Sequence, residues 1–421
     1  MSIYKNRSIE QVLNQMINVY PVIMISGPRQ VGKTTLLQFI ANNSKKKINF
    51  VTLDDLKLRI QANEDPELFL RNYETPLIID EFQYAPDLLS YIKIKVDEAR
   101  KEKLFGSGED VSTMYYLTGS QIFQTMHNIS ESLTGRIGIL DLFAFSTREL
   151  EGLKEEKFVP EIEKIKKRIP VKTLSTEKLY KRILNGSYPE IYINKNIDVE
   201  KYYETYVRTY MERDIREIIN IKDENKFIKF ISSVAARTGQ EYNASDIAEN
   251  IGVDQKTVND WMSILKNTGL VFLLQPHMNN NIGRIIKRPK IYFMDTGLAC
   301  YLTGYTNESI LEKSAYNGAI FETYVVSEIV KTFTNNGIDP RKHLYYYRDN
   351  NGKEIDLLII DNNKVYPVEI KKSANPGKIA TKHFDIVKKF EMEVGNGAVI
   401  CMSKDIFAID ENNYYVPIEY I

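Results

Sequence analysis

Residues 27–34 read GPRQVGKT, Gly27 to Thr34, and satisfy Gly-x-x-x-x-Gly-Lys-[Ser/Thr] at every fixed position. The apolar run VIMIS precedes them and TLLQFIA, apolar at helical spacing, follows. A glycine-rich turn between a strand and a helix presents backbone N–H groups that no helix bond uses, at the end where the helix dipole favours anions. Pro28, Arg29, Gln30, Val31 and Gly32 would wrap a nucleotide's phosphates, and Thr35 would continue the contact into the helix. Lys33 would reach the β- and γ-phosphates, with the Thr34 hydroxyl on Mg²⁺. The expected cofactors are ATP and Mg²⁺.

Outward from this loop, short apolar runs recur between helical patterns: PVIMISG, INFVTLDD, PLIIDEF, MYYLTGS and IGILDLFAF. Strands spaced by helices imply a parallel sheet with crossover helices. PLIIDE, residues 76–81, ends in two acids at the edge where ligands of such sheets bind. Asp80 would hold Mg²⁺ through water, and Glu81 would polarise the attacking water as general base. A helix N-cap is the plain structural alternative for the pair.

The loop, strand-DE, strand-TGS and LTGR before another strand follow in the order of prokaryotic AAA-type ATPases, which this region resembles. The resemblance implies that Ser120, with Thr118 as second choice, senses the γ-phosphate, and that Arg136 is an arginine finger. Such a finger acts on a neighbour's nucleotide, so a homo-oligomer is implied; an ordinary surface ion pair is the other reading of Arg136. The helical region offers no clear second sensor arginine, a departure from the family pattern.

The chain has 421 residues, with 56 Lys+Arg against 56 Asp+Glu, so any face for double-stranded DNA must be a local patch. Its two cysteines, Cys300 and Cys401, form no zinc spacing, and a disulfide framework is not expected. No signal-like start or membrane-length apolar run is read, which suggests a soluble, cytoplasmic protein without membrane partners. The expected division is an ATPase domain over 1–153, a charged connector and helical lid over 154–235, a winged helix-turn-helix over 236–304, and an α/β domain over 305–421.

In the third region, Ser245–Asn250 and Asp254–Asn267 read as two helices, with Ser245 as N-cap and Gly269 as C-cap. The loop MNNNIGR then leads to Arg284, Lys287, Arg288 and Lys290, the one basic patch of the region. DNA contact through helix and wing, and protein docking, are both open.

In the last region, Asn362-Asn363 reads as a two-residue hairpin turn. Asp361 then faces Lys364 and Asp356 faces Glu369, with Ile355, Leu357 and Ile359 on the core face beside Tyr366, Val368 and Ile370. Opposed carboxylates repel unless a cation lies between them, which suggests a second Mg²⁺ or Mn²⁺ with Lys371 beside it. The pattern resembles the restriction-endonuclease-like PD-(D/E)xK fold, and that resemblance adds Glu322 as a third carboxylate. Ile355 stands where many members have proline. The whole chain resembles prokaryotic ATPases with a C-terminal domain of unknown function, a likeness that NGSYPEI around Gly186 and TYMERDI around Asp214 extend. Two readings follow: an ATPase coupled to DNA binding or processing, and an ATPase switch whose C-terminal half is an inactive interaction module.

Overall fold

The computed structural model describes residues 4–106, 112–119, 133–210, 224–277 and 288–421. The first sheet comprises β1 (Val22–Ser26), β2 (Asn49–Thr52), β3 (Leu77–Asp80), β4 (Tyr115–Thr118) and β5 (Ile137–Asp141). Its order is β2-β3-β4-β1-β5, with every pair parallel. β1, β3 and β4 are buried along their whole length, which explains their unbroken apolar runs. The ends of β1, β3 and β4 therefore share one edge, and GPRQVGKT, Asp80 and Thr118 meet there.

The expected winged region contains helices Ala244–Ile251 and Gln255–Asn267, then the antiparallel strands β6 (Val271–Pro276) and β7 (Lys290–Phe293). Asn243, not Ser245, caps the first helix, accepting from the Asp246 N–H; Ser245 Oγ instead donates to Asn243. Asp254 caps the second, and Gly269 follows its end at φ +75°. At its far end β6 pairs in parallel with β8 (Leu344–Arg348), so one sheet crosses the boundary drawn at 304. That sheet continues through β9 (Glu354–Asp361), β10 (Lys364–Ile370), β12 (Gly397–Cys401), β14 (Asn413–Pro417) and β13 (Phe407–Ala408), with β11 (Glu393–Val394) beside β10.

The β9–β10 register is the one read from the turn: Asp361 faces Lys364 and Leu357 faces Val368, with Asn362 and Asn363 at φ +50° and +61°. The assignment of Ile355 was wrong. Between the β8 pairs of Tyr345 and Tyr347, β9 advances from Leu358 to Ile355, one residue too many. This bulge puts Ile355 with Leu358 and Val365 in a second core, while Leu357 and Ile359 stay in the first. Both sheet faces are covered. The charged stretch read as a connector is also partly buried: Phe158 and Glu155 are inside, and Lys157 binds Asp361 at 2.7 Å.

A buried polar junction joins these bodies. Asp295 accepts from Ser187 N–H (2.7 Å), Ser187 Oγ (2.8 Å), Tyr203 Oη (2.7 Å) and Leu298 N–H (2.8 Å). Gly186 lies so close that an added Cβ would stand 2.1 Å from the Tyr203 hydroxyl, which accounts for the glycine of NGSYPEI. Lys331 Nζ, in helix Asn317–Thr334, donates to Phe145 O, Ser187 Oγ and Glu328. Asp295→Asn replaces acceptor lone pairs with donors among four existing donors. The expected loss is at least the worth of one bond to a charged group, about 1.5–3 kcal/mol. Denaturant unfolding reads it, and an unchanged midpoint would remove Asp295 from this role.

Candidate ATP site and C-terminal carboxylate cluster

The loop leaves β1 at Gly27, where φ is +140° and an added Cβ would lie 2.0 Å from the Leu142 carbonyl oxygen. Only glycine permits this approach. Gln30 and Gly32 also have positive φ, and Gly32 opens helix Lys33–Asn43. Lys33 is buried, and its ammonium donates to the carbonyls of Gly27 (2.9 Å) and Pro28 (2.7 Å) across the loop. Thr34 Oγ1 donates to Asp80 Oδ1 at 2.7 Å, and the Thr118 hydroxyl donates to the same oxygen. A hydroxyl and a carboxylate in contact at the mouth of an anion-binding loop suit a hard cation bridging protein and phosphates, so the residues fit Mg²⁺·ATP.

Glu81 sits in the left-handed region, φ +53° and ψ +42°. This costs about 1–2 kcal/mol in a non-glycine residue and is the kind of strain that gathers at functional sites. Its N–H reaches Thr118 Oγ1 at 3.4 Å, and its carboxylate accepts from the Gln83 side chain. Sequence reading missed Gln83. Thr118, second choice for a polar residue after β4, is the one that touches Asp80; Ser120 lies outside the described residues.

Arg136 precedes Ile137, which is level with Val22 at the start of β1, whereas the loop leaves from β1's other end. Four strand steps separate them, about 13 Å at 3.3 Å per residue. Its guanidinium makes a two-point pair with Asp97, at 2.6 and 3.0 Å, which holds the Asp97 carboxyl below the usual range. Arg136 thus stands away from its own chain's loop.

Contacts also reach the loop from later in the chain. Tyr202, in helix Val199–Tyr210, donates to Gln30 Oε1 at 2.8 Å. Gly269 packs on Pro28, with its Cβ direction 3.1 Å from the proline Cδ. Neither residue carries a motif signal.

The C-terminal acids are arranged differently from expectation. Ile370 N–H donates to Asp356 Oδ2 (2.9 Å), and Lys371 Nζ lies 3.4 Å from Asp356 and 2.6 Å from Glu369. Glu322 accepts from Tyr292 Oη (2.6 Å) and lies 3.4 Å from Lys290 Nζ. Lys290 was assigned to the basic wing. It is instead 4 % exposed and pairs with Glu354 at 2.5 Å. Burial opposes its charge, yet Tyr292, Glu322, Asp356 and Glu354 keep it firmly protonated. Arg288 is exposed, while Arg284, Lys287 and Asp214 lie outside the described residues. Among the described residues no group of three or more His, Cys, Asp or Glu side chains is placed to hold a metal. Two lysine ammonium groups lie among the expected carboxylates, Lys371 beside Asp356 and Glu369 and Lys290 beside Glu322.

The comparisons with known proteins bear first on the class: residues 19–151 match the model of an AAA domain. Residues 176–309 and 317–421 match two domains of unknown function, DUF8612 and DUF4143. Among individual proteins, uncharacterised proteins of Mycobacterium tuberculosis and Mycobacterium bovis are each 24% identical over 411 residues, 97% of this chain and 82% of theirs. A Walker-type ATPase of Pyrococcus abyssi is 13% identical with a TM-score of 0.43, covering 71% of this chain and 96% of that one. The Thermotoga maritima RuvB Holliday junction branch migration motor is 18% identical with a TM-score of 0.30, covering 63% and 88%. No helix among the described residues is long and apolar enough to cross a membrane.

Two outcomes follow from the geometry. Lys33→Ala should abolish ATP binding, whereas Glu81→Gln should retain ATP and stall turnover, because the Thr34–Asp80 pair survives and the base does not. Calorimetry with steady-state hydrolysis checks this, and turnover of Glu81→Gln equal to the parent's would remove Glu81 from the role of base. In the C-terminal cluster, burial and the neighbouring Asp356 charge push Glu369 up to about 8, and burial pushes Glu322 up to about 7. The folded state then holds protons that the unfolded chain has already released. Stability should therefore fall as pH rises from about 4.5 to about 8. Glu369→Gln should flatten that slope in unfolding titrations; a stability rising with pH in the parent would contradict it.

Proposed function

We propose that the protein binds and hydrolyses ATP in a homo-oligomer and passes its nucleotide state to the helical and C-terminal regions, which engage double-stranded DNA. The observation that carries the ATP reading is the 2.7 Å bond between Thr34 Oγ1 and Asp80 Oδ1 at the loop's mouth. In this reading the loop amides and Lys33 bind the phosphates, and Mg²⁺ neutralises charge on their oxygens. Glu81, released from Gln83, takes a proton from the attacking water. Arg136, released from Asp97, reaches a neighbouring chain's nucleotide; its distance from its own loop favours a role between chains. Movement of Gln30 and Pro28 on nucleotide binding would be felt at Tyr202 in the helical region and at Gly269 in the winged region.

The DNA component rests on the exposed Arg288 with Arg284 and Lys287. Lys290 no longer belongs to that set. A second reading, an ATPase switch whose C-terminal half recruits a partner and cuts nothing, is favoured by Lys290 and Lys371 lying among the carboxylates that would hold a metal.

Duplex DNA retention separates the two. On the first reading, affinity falls steeply with added salt. Reversing Arg284, Lys287 and Arg288 to Glu weakens it similarly across sequences and lowers the salt slope. Undiminished affinity in that triple variant, or no retention by the parent at low salt, moves the weight to protein docking. Nicking assays with Mg²⁺ or Mn²⁺ in the same reactions test whether the C-terminal half cuts.

A further inference from the structure

Arg7, ahead of the first helix and outside every motif, is almost wholly buried against the phosphate loop. Its Nη1 donates to the Val31 carbonyl at 2.9 Å and its Nη2 to the Phe143 carbonyl at 2.7 Å, while Nε donates to Glu149 Oε1 at 3.0 Å. The guanidinium also lies 4.8 Å from the centre of the Phe145 ring. Glu149 is itself immobilised: it accepts from Ser8 N–H (2.7 Å) and Ser146 N–H (2.9 Å), and Ser146 completes a capping box with it. The planar fork of an arginine thus ties three fixed acceptors on the loop, on the segment after β5, and on helix Thr147–Glu151.

The consequence for the loop follows from peptide geometry. The Val31 carbonyl and the Gly32 N–H belong to one planar trans unit and point in opposite directions. Holding the oxygen towards Arg7 turns the Gly32 N–H away from the guanidinium. Gly32 has φ +93° and no side chain to resist rotation of that unit, so an external anchor is needed. The Arg7 charge is matched by Glu149, so the contribution lies in the arrangement of donors, not in added positive potential.

We propose that Arg7 is a positioning residue for the nucleotide phosphates, fixing the Val31–Gly32 peptide so that the loop's donors are arranged before ligand arrives. This rests on the ATP-site reading above. Preorganisation of this kind acts on affinity, while Thr34, Asp80 and Glu81 are untouched, so KM should move and kcat should not.

The test compares the parent full-length chain with Arg7→Lys, Glu149→Gln and the double variant Arg7→Met/Glu149→Gln. Arg7→Lys keeps the charge but puts its donors on one nitrogen, without the planar fork whose separate nitrogens span the three acceptors. The double variant removes both charges and leaves no buried carboxylate without its partner. Glu149→Gln keeps an acceptor for Nε but sets its NH2 against the Ser146 N–H, so it lowers stability while leaving the Arg7 bonds to Val31 and Phe143 in place. Calorimetric Kd for ATP and ADP, steady-state KM and kcat, and Tm are measured on all four. The expected result is a rise in Kd and KM of about tenfold in both Arg7 variants, with kcat within about twofold of the parent, and a lowered Tm but near-parental KM in Glu149→Gln. Parental KM in either folded Arg7 variant, or the same KM rise in Glu149→Gln, overturns the proposal. A parent that binds no nucleotide defeats the ATP-site reading instead, which keeps the two failures apart.

Discussion

One buried carboxylate holds together three separate segments of the chain. Asp295 takes four hydrogen bonds, two from Ser187, one from Tyr203 and one from the start of helix Thr296–Leu302. A buried acid is tolerable only when its lone pairs are filled, and filling these requires three chain segments to arrive in one geometry. Two glycines, Gly186 and Gly297, stand where a Cβ would strike the Tyr203 hydroxyl. Lys331 then extends the polar network to Phe145 of the ATPase domain. Hydrogen bonds thus tie the segment after β5 and the Ser187 turn to helix Asn317–Thr334.

Within that frame, two carboxylate sites are provisioned in opposite ways. Asp80 is approached by two hydroxyls, Thr34 and Thr118, neutral groups that can turn to accept a cation's company. Asp356, Glu369, Glu322 and Glu354 are approached by the ammonium groups of Lys371 and Lys290. Lysine amines supply the positive charge from inside the protein and lessen the demand for an external ion. Burial, with the neighbouring Asp356 charge behind it, shows as raised affinity of Glu369 and Glu322 for protons. Similar side chains thus favour an external cation at one edge and an internal one at the other.

Local order alone made several features legible. The turn Asn362-Asn363 determined the β9–β10 pairing, because two left-handed residues in succession leave little choice of register. The phosphate loop was legible because its glycines answer a local demand: Gly27 must admit the Leu142 carbonyl, and Gly32 must open a helix at positive φ. Periodicity was a weaker guide. It placed Ile355 on the wrong face, since a bulge inserts one residue without changing the alternation of apolar and polar letters. Lys290 misled for a related reason: a lysine among basic neighbours reads as surface until the acids facing it are known.

By itself the sequence determined the parallel sheet, the loop and acids at its edge, the two helices before the β6–β7 hairpin, and the hairpin register. Each was legible from patterns within short stretches of chain, set by backbone rules and alternation, even where the pairing itself, as of β1 with β4 and β5, joins distant strands. Only the tertiary structure decided that β6 joins the C-terminal sheet, that Arg7 anchors Val31, that Tyr202 touches Gln30, and that Lys290 lies among acids. Arg7 and Glu149 are 142 residues apart, and Tyr202 and Gln30 are 172 apart. At such separations a charge or hydroxyl carries no sign of its partner in the chain order, because the partner is chosen by packing of whole layers.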